Sequence, residues 1–193
     1  MHFDFETTAS NTGATVGSRK RFFDPTDGEE KCPHFHQIRL LSIFDIAAKG
    51  PAYARSLTRK ILENEEFCLQ IDAHTDFTRN WDNEVKKQWL MTENEYAIIS
   101  TRPAPIEMKI EHEEGGARFT EVPRRCHIGY HPEGIPWFNI KMDVTAHELK
   151  KPLLTTAWNA GFSFAKCHLE VSAPYDPFTP LVFDLEEFPR FAR

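Results

Sequence analysis

The chain lacks most of the signatures that would identify an activity at a glance. No run approaches the ~18 apolar residues a membrane-crossing helix needs, and residues 1–31 show no charged-then-apolar leader pattern. There is no G-x-S-x-G elbow and no phosphate-binding glycine loop, so nucleophilic hydrolases and loop-type nucleotide phosphatases are poorly supported. No basic face stands out, and the formal net charge of −6 argues against a general nucleic-acid binder. The four cysteines, Cys32, Cys68, Cys126 and Cys167, form no CxxC pair. Two of them sit in apolar surroundings, and the expectation is buried free thiols rather than disulfides.

What remains is an ordinary globular balance of 40% hydrophobic and 27% charged residues over 193 positions. That length fits one domain, or most of one, with a real core. Residues 1–31 are polar, carry a basic Arg19-Lys20-Arg21 patch, and read as a poorly ordered tail. Residues 32–193 read as the folded part.

Gln37 to Phe44 is a β-prone apolar run, expected to be an interior strand. Gly50 and Pro51 then suit a helix start, and Tyr53, Ala54, Leu57 and Ile61 share one helical face, with Arg55, Arg59 and Glu63 opposite. That helix should end near Asn64. Phe67 to Ile71 follows as a short strand, so strand, helix and strand form one expected βαβ unit. Trp81, Val85 and Trp89 recur every four residues and predict a helix from about Asn80 to Thr92. Tyr96 to Ser100 is a further strand candidate. Residues 103–152 are mixed, with an expected turn at Gly115-Gly116. Pro174-Tyr175-Asp176-Pro177 reads as a rigid turn.

The strand at Phe67 ends in Asp72-Ala73-His74. In extended chain, side chains two apart point the same way, so a carboxylate and an imidazole would face one spot. Such a pair is a plausible half-site for a divalent cation; the plainer alternative is a capping Asp beside an exposed His. The other histidines offer less. Cys32-Pro33-His34-Phe35-His36 has no second ligand pair at zinc-finger spacing, and Cys126, His127 and His131 lie near Pro132 and Gly134, which suggest a surface loop. Glu186-Glu187 reads as either a solvated helix start or a placed catalytic carboxylate.

Several segments, taken in order, carry a resemblance. They are Gly50-Pro51-x-x-Ala54-Arg55, Leu69-Gln70-Ile71-Asp72-x-His74 and Phe77-x-x-x-Trp81-Asp82, then Ala160-Gly161-Phe162-Ser163-Phe164, Pro174-Tyr175-Asp176-Pro177 and Phe183-x-x-Glu186-Glu187. From about Cys32 to the last residue, the series resembles the GlcNAc-transferase family typified by the protein-hydroxyproline N-acetylglucosaminyltransferase, related in its metal motif to the polypeptide GalNAc-transferases.

The resemblance implies an α/β, Rossmann-like GT-A fold, a mixed sheet flanked by helices. It also implies transfer of GlcNAc from UDP-GlcNAc to a hydroxyl of a protein side chain, with retention at the anomeric carbon. Asp72 and His74 would hold a divalent cation, usually Mn2+, against the UDP diphosphate. Arg55 would contact the nucleotide beside Asp72, and Phe162 and Phe164 would line the sugar region or fill the core. Glu186 and Glu187 would stand as catalytic carboxylates on the sugar and acceptor side. The partners implied are a UDP-sugar and an acceptor protein, without nucleic acid and with no membrane segment in the chain.

The family pattern also includes a first βα unit, a glycine before the Glu-Glu pair and a late third-ligand His. Here nothing strand-like precedes Gln37, Asp184-Leu185 stands in the glycine's place, and six residues follow Glu187. The expectation is therefore a partial transferase domain, cytoplasmic as it stands, or of the Golgi if a preceding anchor was lost. The alternatives are an inactive homologue serving as a binding module, and a different metal-dependent hydrolase.

Overall fold

The computed structural model describes residues 34–41, 43–103, 121–134, 136–147, 150–155, 157–183 and 186–192. The expected tail at 1–31 and the expected turn at Gly115-Gly116 lie outside them. The chain divides into two compact units, Met1–Lys49 and Gly50–Arg193.

In the first unit the described residues form two 3-10 turns, Phe35–Gln37 and Asp45–Ala47. The strand expected from Gln37 to Phe44 is not there. An extended apolar segment becomes a strand only where another strand meets its N–H and C=O groups. Among the described residues no strand pairs with 38–41, and Ile38, Leu40 and Phe44 are exposed.

The second unit opens with helix α1, Pro51–Thr58, prolonged by a 3-10 turn, Arg59–Ile61. Gly50 caps it with φ +86°, and a Cβ there would stand 3.0 Å from the Leu181 backbone. Both conformation and space therefore demand glycine at this position. Strand β1, Phe67–Ile71, follows, then helix α2, Trp81–Leu90, and the two-residue strand β2, Ile99–Ser100. A long hairpin of β3, Glu121–Tyr130, and β4, Pro136–His147, comes next. Strand β5, Phe162–Lys166, leads into the short helices α3, His168–Ser172, and α4, Glu187–Phe191.

The content is α/β, with a small sheet flanked by helices. The connectivity differs from the expected βαβ unit. β5 is the central strand, with β1 and β2 antiparallel on either side. Without a strand at 37–44, β1 has no earlier neighbour among the described residues, and its ladder is filled by β5, ninety-odd residues later. β3 and β4 form a separate antiparallel ribbon whose register shifts near Arg124. His131 to Gly134 is its exposed turn, with Gly134 N–H donating to His131 O. That is where the sequence placed a surface loop.

Because side chains alternate across a strand, the three-stranded sheet has two distinct faces. Phe67, Leu69, Phe162, Phe164 and Ile99 pack with Val85, Trp89, Trp81 and Ala97 into the main core. Phe67 stacks on Phe164 at 5.0 Å and meets Trp89 edge-on at 5.1 Å. The Trp89 indole N–H donates to Ala97 O at 2.9 Å, so burying the ring strands no polar atom. Phe164 is buried and Phe162 packs against the same cluster, so of the two roles left open for them the structure assigns the core.

The opposite face carries Cys68, Gln70, Ser163 and Ala165. Cys68 is joined to Cys167 in a disulfide, with Cα atoms 4.9 Å apart. This corrects the free-thiol expectation for these two residues. They are 99 positions apart in the chain, and only the antiparallel β1–β5 register, which no spacing rule foretells, makes them neighbours.

Candidate active site around Asp72

β1 stops at Ile71, and Asp72 begins a turn closed by Thr75 N–H on Asp72 O at 3.2 Å. The turn, rather than extended chain, brings the expected pair together. His74 Nε2 stands 3.9 Å from Asp72 Oδ2. The His74 side chain is 89% exposed and that of Asp72 43%, so both present lone pairs to solvent at the sheet's edge. Two metal–donor bonds of about 2.1 Å each span about 4.2 Å. Donors 3.9 Å apart can therefore share one divalent cation, and a carboxylate with an imidazole suits Mn2+ or a similar ion. Among the described residues, no group of three or more His, Cys, Asp and Glu side chains forms a metal cluster.

The segment before β5 is wired to this turn from several sides. Asp72 N–H donates to Gly161 O at 3.2 Å. Gly161 N–H donates to the Asn159 side-chain oxygen at 2.8 Å, and Gln70 Nε2 donates to Ala160 O at 2.6 Å. Gln70 in turn accepts from the Tyr175 hydroxyl. Burial pushes the Tyr175 phenol well above its ordinary value, so the proton stays on it to make that bond. Asn159 N–H donates to Ser100 Oγ at 2.7 Å, and the Ser100 hydroxyl lies 3.1 Å from both Asn159 O and Phe162 O.

The terminal carboxylates reach the same place. Glu187 accepts from Ala160 N–H at 3.0 Å. Glu186 is buried and paired with Arg55 from α1, and its second oxygen is without a hydrogen-bond partner. Burial raises the Glu186 carboxyl above its ordinary value; Arg55 opposes that, while Glu187 and Asp72 add to it. Asp72 is thus close enough for its charge to be felt at Glu186. The Arg190 guanidinium from α4 donates to Ala173 O and Glu170, and lies 4.4 Å from the Tyr175 ring centre. It fastens the helix that carries Glu187.

The structure therefore gathers Arg55, Asp72, His74, Glu186 and Glu187 into one region. Arg55, placed by helical periodicity on the polar face, turns inward: its side chain is 18% exposed and engages Glu186. His34 and His36 lie in the first unit near Gln37. Sequence reasoning gave no role to Gln70, Asn159, Gly161 or Tyr175. Gln70, Gly161 and Tyr175 do stand inside the segments that carry the family resemblance, and that was the signal available for them.

A protein-family model described as Glycosyltransferase (GlcNAc) matches residues 9–193, and the chain belongs to that family. The match reaches back into the segment read as a tail. No curated protein and no solved structure matches the chain. Among the described residues no helix is long and apolar enough to cross a membrane.

Proposed function

We propose that this chain carries the donor side of a GT-A-type transferase that moves GlcNAc from UDP-GlcNAc to a hydroxyl of a protein side chain. The reading is metal-dependent and retaining, as in the enzymes that modify hydroxyproline. The observation that carries it is the Asp72–His74 pair, 3.9 Å apart and open to solvent, in a GlcNAc glycosyltransferase chain.

Asp72 and His74 would hold the cation, with Mn2+ the first candidate. A bound divalent cation neutralises the charge that grows on a departing diphosphate. Glu187 sits on the Ala160 amide and would stand at the sugar side of the pair. There it orients the Ala160–Gly161 turn. Glu186 holds Arg55 in place, and Arg55 would contact the nucleotide from there.

The test is Mn2+-dependent UDP binding by isothermal titration calorimetry, comparing the chain with Asp72→Ala/His74→Ala. Binding that needs Mn2+ and disappears in the double variant is expected; equal binding by both removes the metal assignment.

One observation favours a second reading, a homologue that binds without turning over. Arg55 and Glu186 are spent on each other, and Glu187 already serves a backbone amide. UDP binding without hydrolysis or transfer of UDP-GlcNAc to any hydroxyl acceptor would select it. The compartment is part of the same proposal. A disulfide persists where thiols are oxidised, so Cys68–Cys167 supports the secretory pathway over the cytoplasm. Alkylation in intact cells, showing whether these two thiols are blocked, tests that placement.

A further inference from the structure

We infer that Gly161 is a positioning residue for Asp72, its missing side chain being the seat in which the Asp72 carboxylate rests. The inference builds on the metal reading above. A Cβ at Gly161 would stand 2.7 Å from Asp72 Oδ2, 3.4 Å from the same carboxyl carbon and 3.0 Å from the Asn159 side-chain oxygen. Its backbone is not in the left-handed region, which the glycines Gly50 and Gly134 occupy. Space, not conformation, is what calls for glycine here.

The seat is fixed from every direction the chain offers. Gly161 O accepts from Asp72 N–H, and Gly161 N–H is held by Asn159, itself buried and tied to Ser100. Ala160, one residue back, is held by Gln70 through its carbonyl and by Glu187 through its amide. Backbone so fully bonded cannot shift to admit a methyl group without breaking bonds inside a buried network. The carboxylate is the part free to move, since Asp72 is 43% exposed at its side chain. A methyl at 161 therefore displaces Asp72 Oδ2 from its present place beside His74 and disturbs the pair as a chelate. The same turn joins Asp72 to Glu187, so donor-side and sugar-side carboxylates share one brace.

The experiment is Mn2+ binding to the whole chain by electron paramagnetic resonance, with thermal unfolding alongside. Gly161→Ala is expected to stay folded and to weaken Mn2+ at least tenfold, a change that a merely structural glycine would not produce. A folded G161A that binds Mn2+ like the parent overturns the inference. If G161A fails to fold, Asp72→Ala/Gly161→Ala decides. Recovery of folding when the carboxylate is removed supports the seat, and continued failure overturns it. Failure of the parent chain itself to bind Mn2+ is a different result: it removes the metal reading and with it this role for Gly161.

Discussion

Arg55 and Glu186, 131 residues apart, form an ion pair with side chains 18% and 6% exposed. This contact ties the first helix of the second unit to the last. It also explains why neither residue behaves as its local sequence suggests. Arg55 leaves the polar face of its helix, and Glu186 leaves solvent, because each supplies the charge the other needs when buried.

Removing one partner of such a pair strands a charge, at a typical cost of about 3–5 kcal/mol. Arg55→Ala is expected to destabilise the chain by that order, since Glu186 already has one oxygen without a partner. Arg55→Ala/Glu186→Gln should recover part of the loss by removing the charge as well. Urea unfolding of the two variants and the parent checks both; a single variant within about 1 kcal/mol of the parent would place the pair among weak surface contacts.

The disulfide makes a second prediction. Cys68 and Cys167 should resist alkylation in the unfolded, unreduced chain and react after reduction. Replacing both with serine should cost about 2–5 kcal/mol by denaturant unfolding, because the bridge restrains a long loop in the unfolded chain. If both thiols react without reduction, the bridge does not form.

How much of this was legible beforehand depended on how local each signal was. α2 was read from Trp81, Val85 and Trp89, because one helix face against one core is a periodic message. Its observed span, Trp81–Leu90, lies inside the expected one. α1 was read from Gly50-Pro51 and ends three residues short of Asn64 when its 3-10 turn is counted. The Gln37–Phe44 strand and the parallel βαβ unit failed for one reason. Pairing is a property of two segments, and β1 finds its partner at Phe162–Lys166. The disulfide was missed on the same ground. At the site, Asp72-x-His74 was visible because both residues lie in one short segment. The Arg55–Glu186 pair, the Tyr175–Gln70 bond and the Gly161 seat were not, since each joins residues brought together only by the fold.

Trp89 tests the main core. It is 6% exposed, touches Phe67 and donates its N–H to Ala97 O. Trp89→Ala should cost about 3–5 kcal/mol through lost burial and the cavity left behind. Trp89→Phe should cost less, about 1–3 kcal/mol, mostly from the orphaned Ala97 carbonyl. Denaturant curves followed by circular dichroism separate the two; equal costs would mean that the lost hydrogen bond, not the burial of the ring, accounts for the whole effect.

The pH dependence of stability follows from Glu170, which lies against Arg190 at the foot of the last helix. Burial raises its carboxyl above the ordinary 4.5, and Arg190, although it pulls the other way through charge and hydrogen bond, does not cancel that. A folded-state value above the unfolded one means the folded chain holds a proton that the unfolded chain has released. The stabilisation is therefore complete below the unfolded value of 4.5 and is lost as pH rises through the folded value. That is opposite in sign to a carboxylate whose value an ion pair depresses. Glu186 shifts in the same direction, also through burial. The thermal midpoint should consequently fall as pH rises above about 4.5 in that window, and the fall should be shallower in Glu170→Gln and shallowest in Glu170→Gln/Glu186→Gln. Midpoints measured across the window for the parent and both variants check the sign. A midpoint that rises with pH in the parent, and less steeply in each variant, would mean that the Arg190 and Arg55 charges, not burial, set these carboxyls.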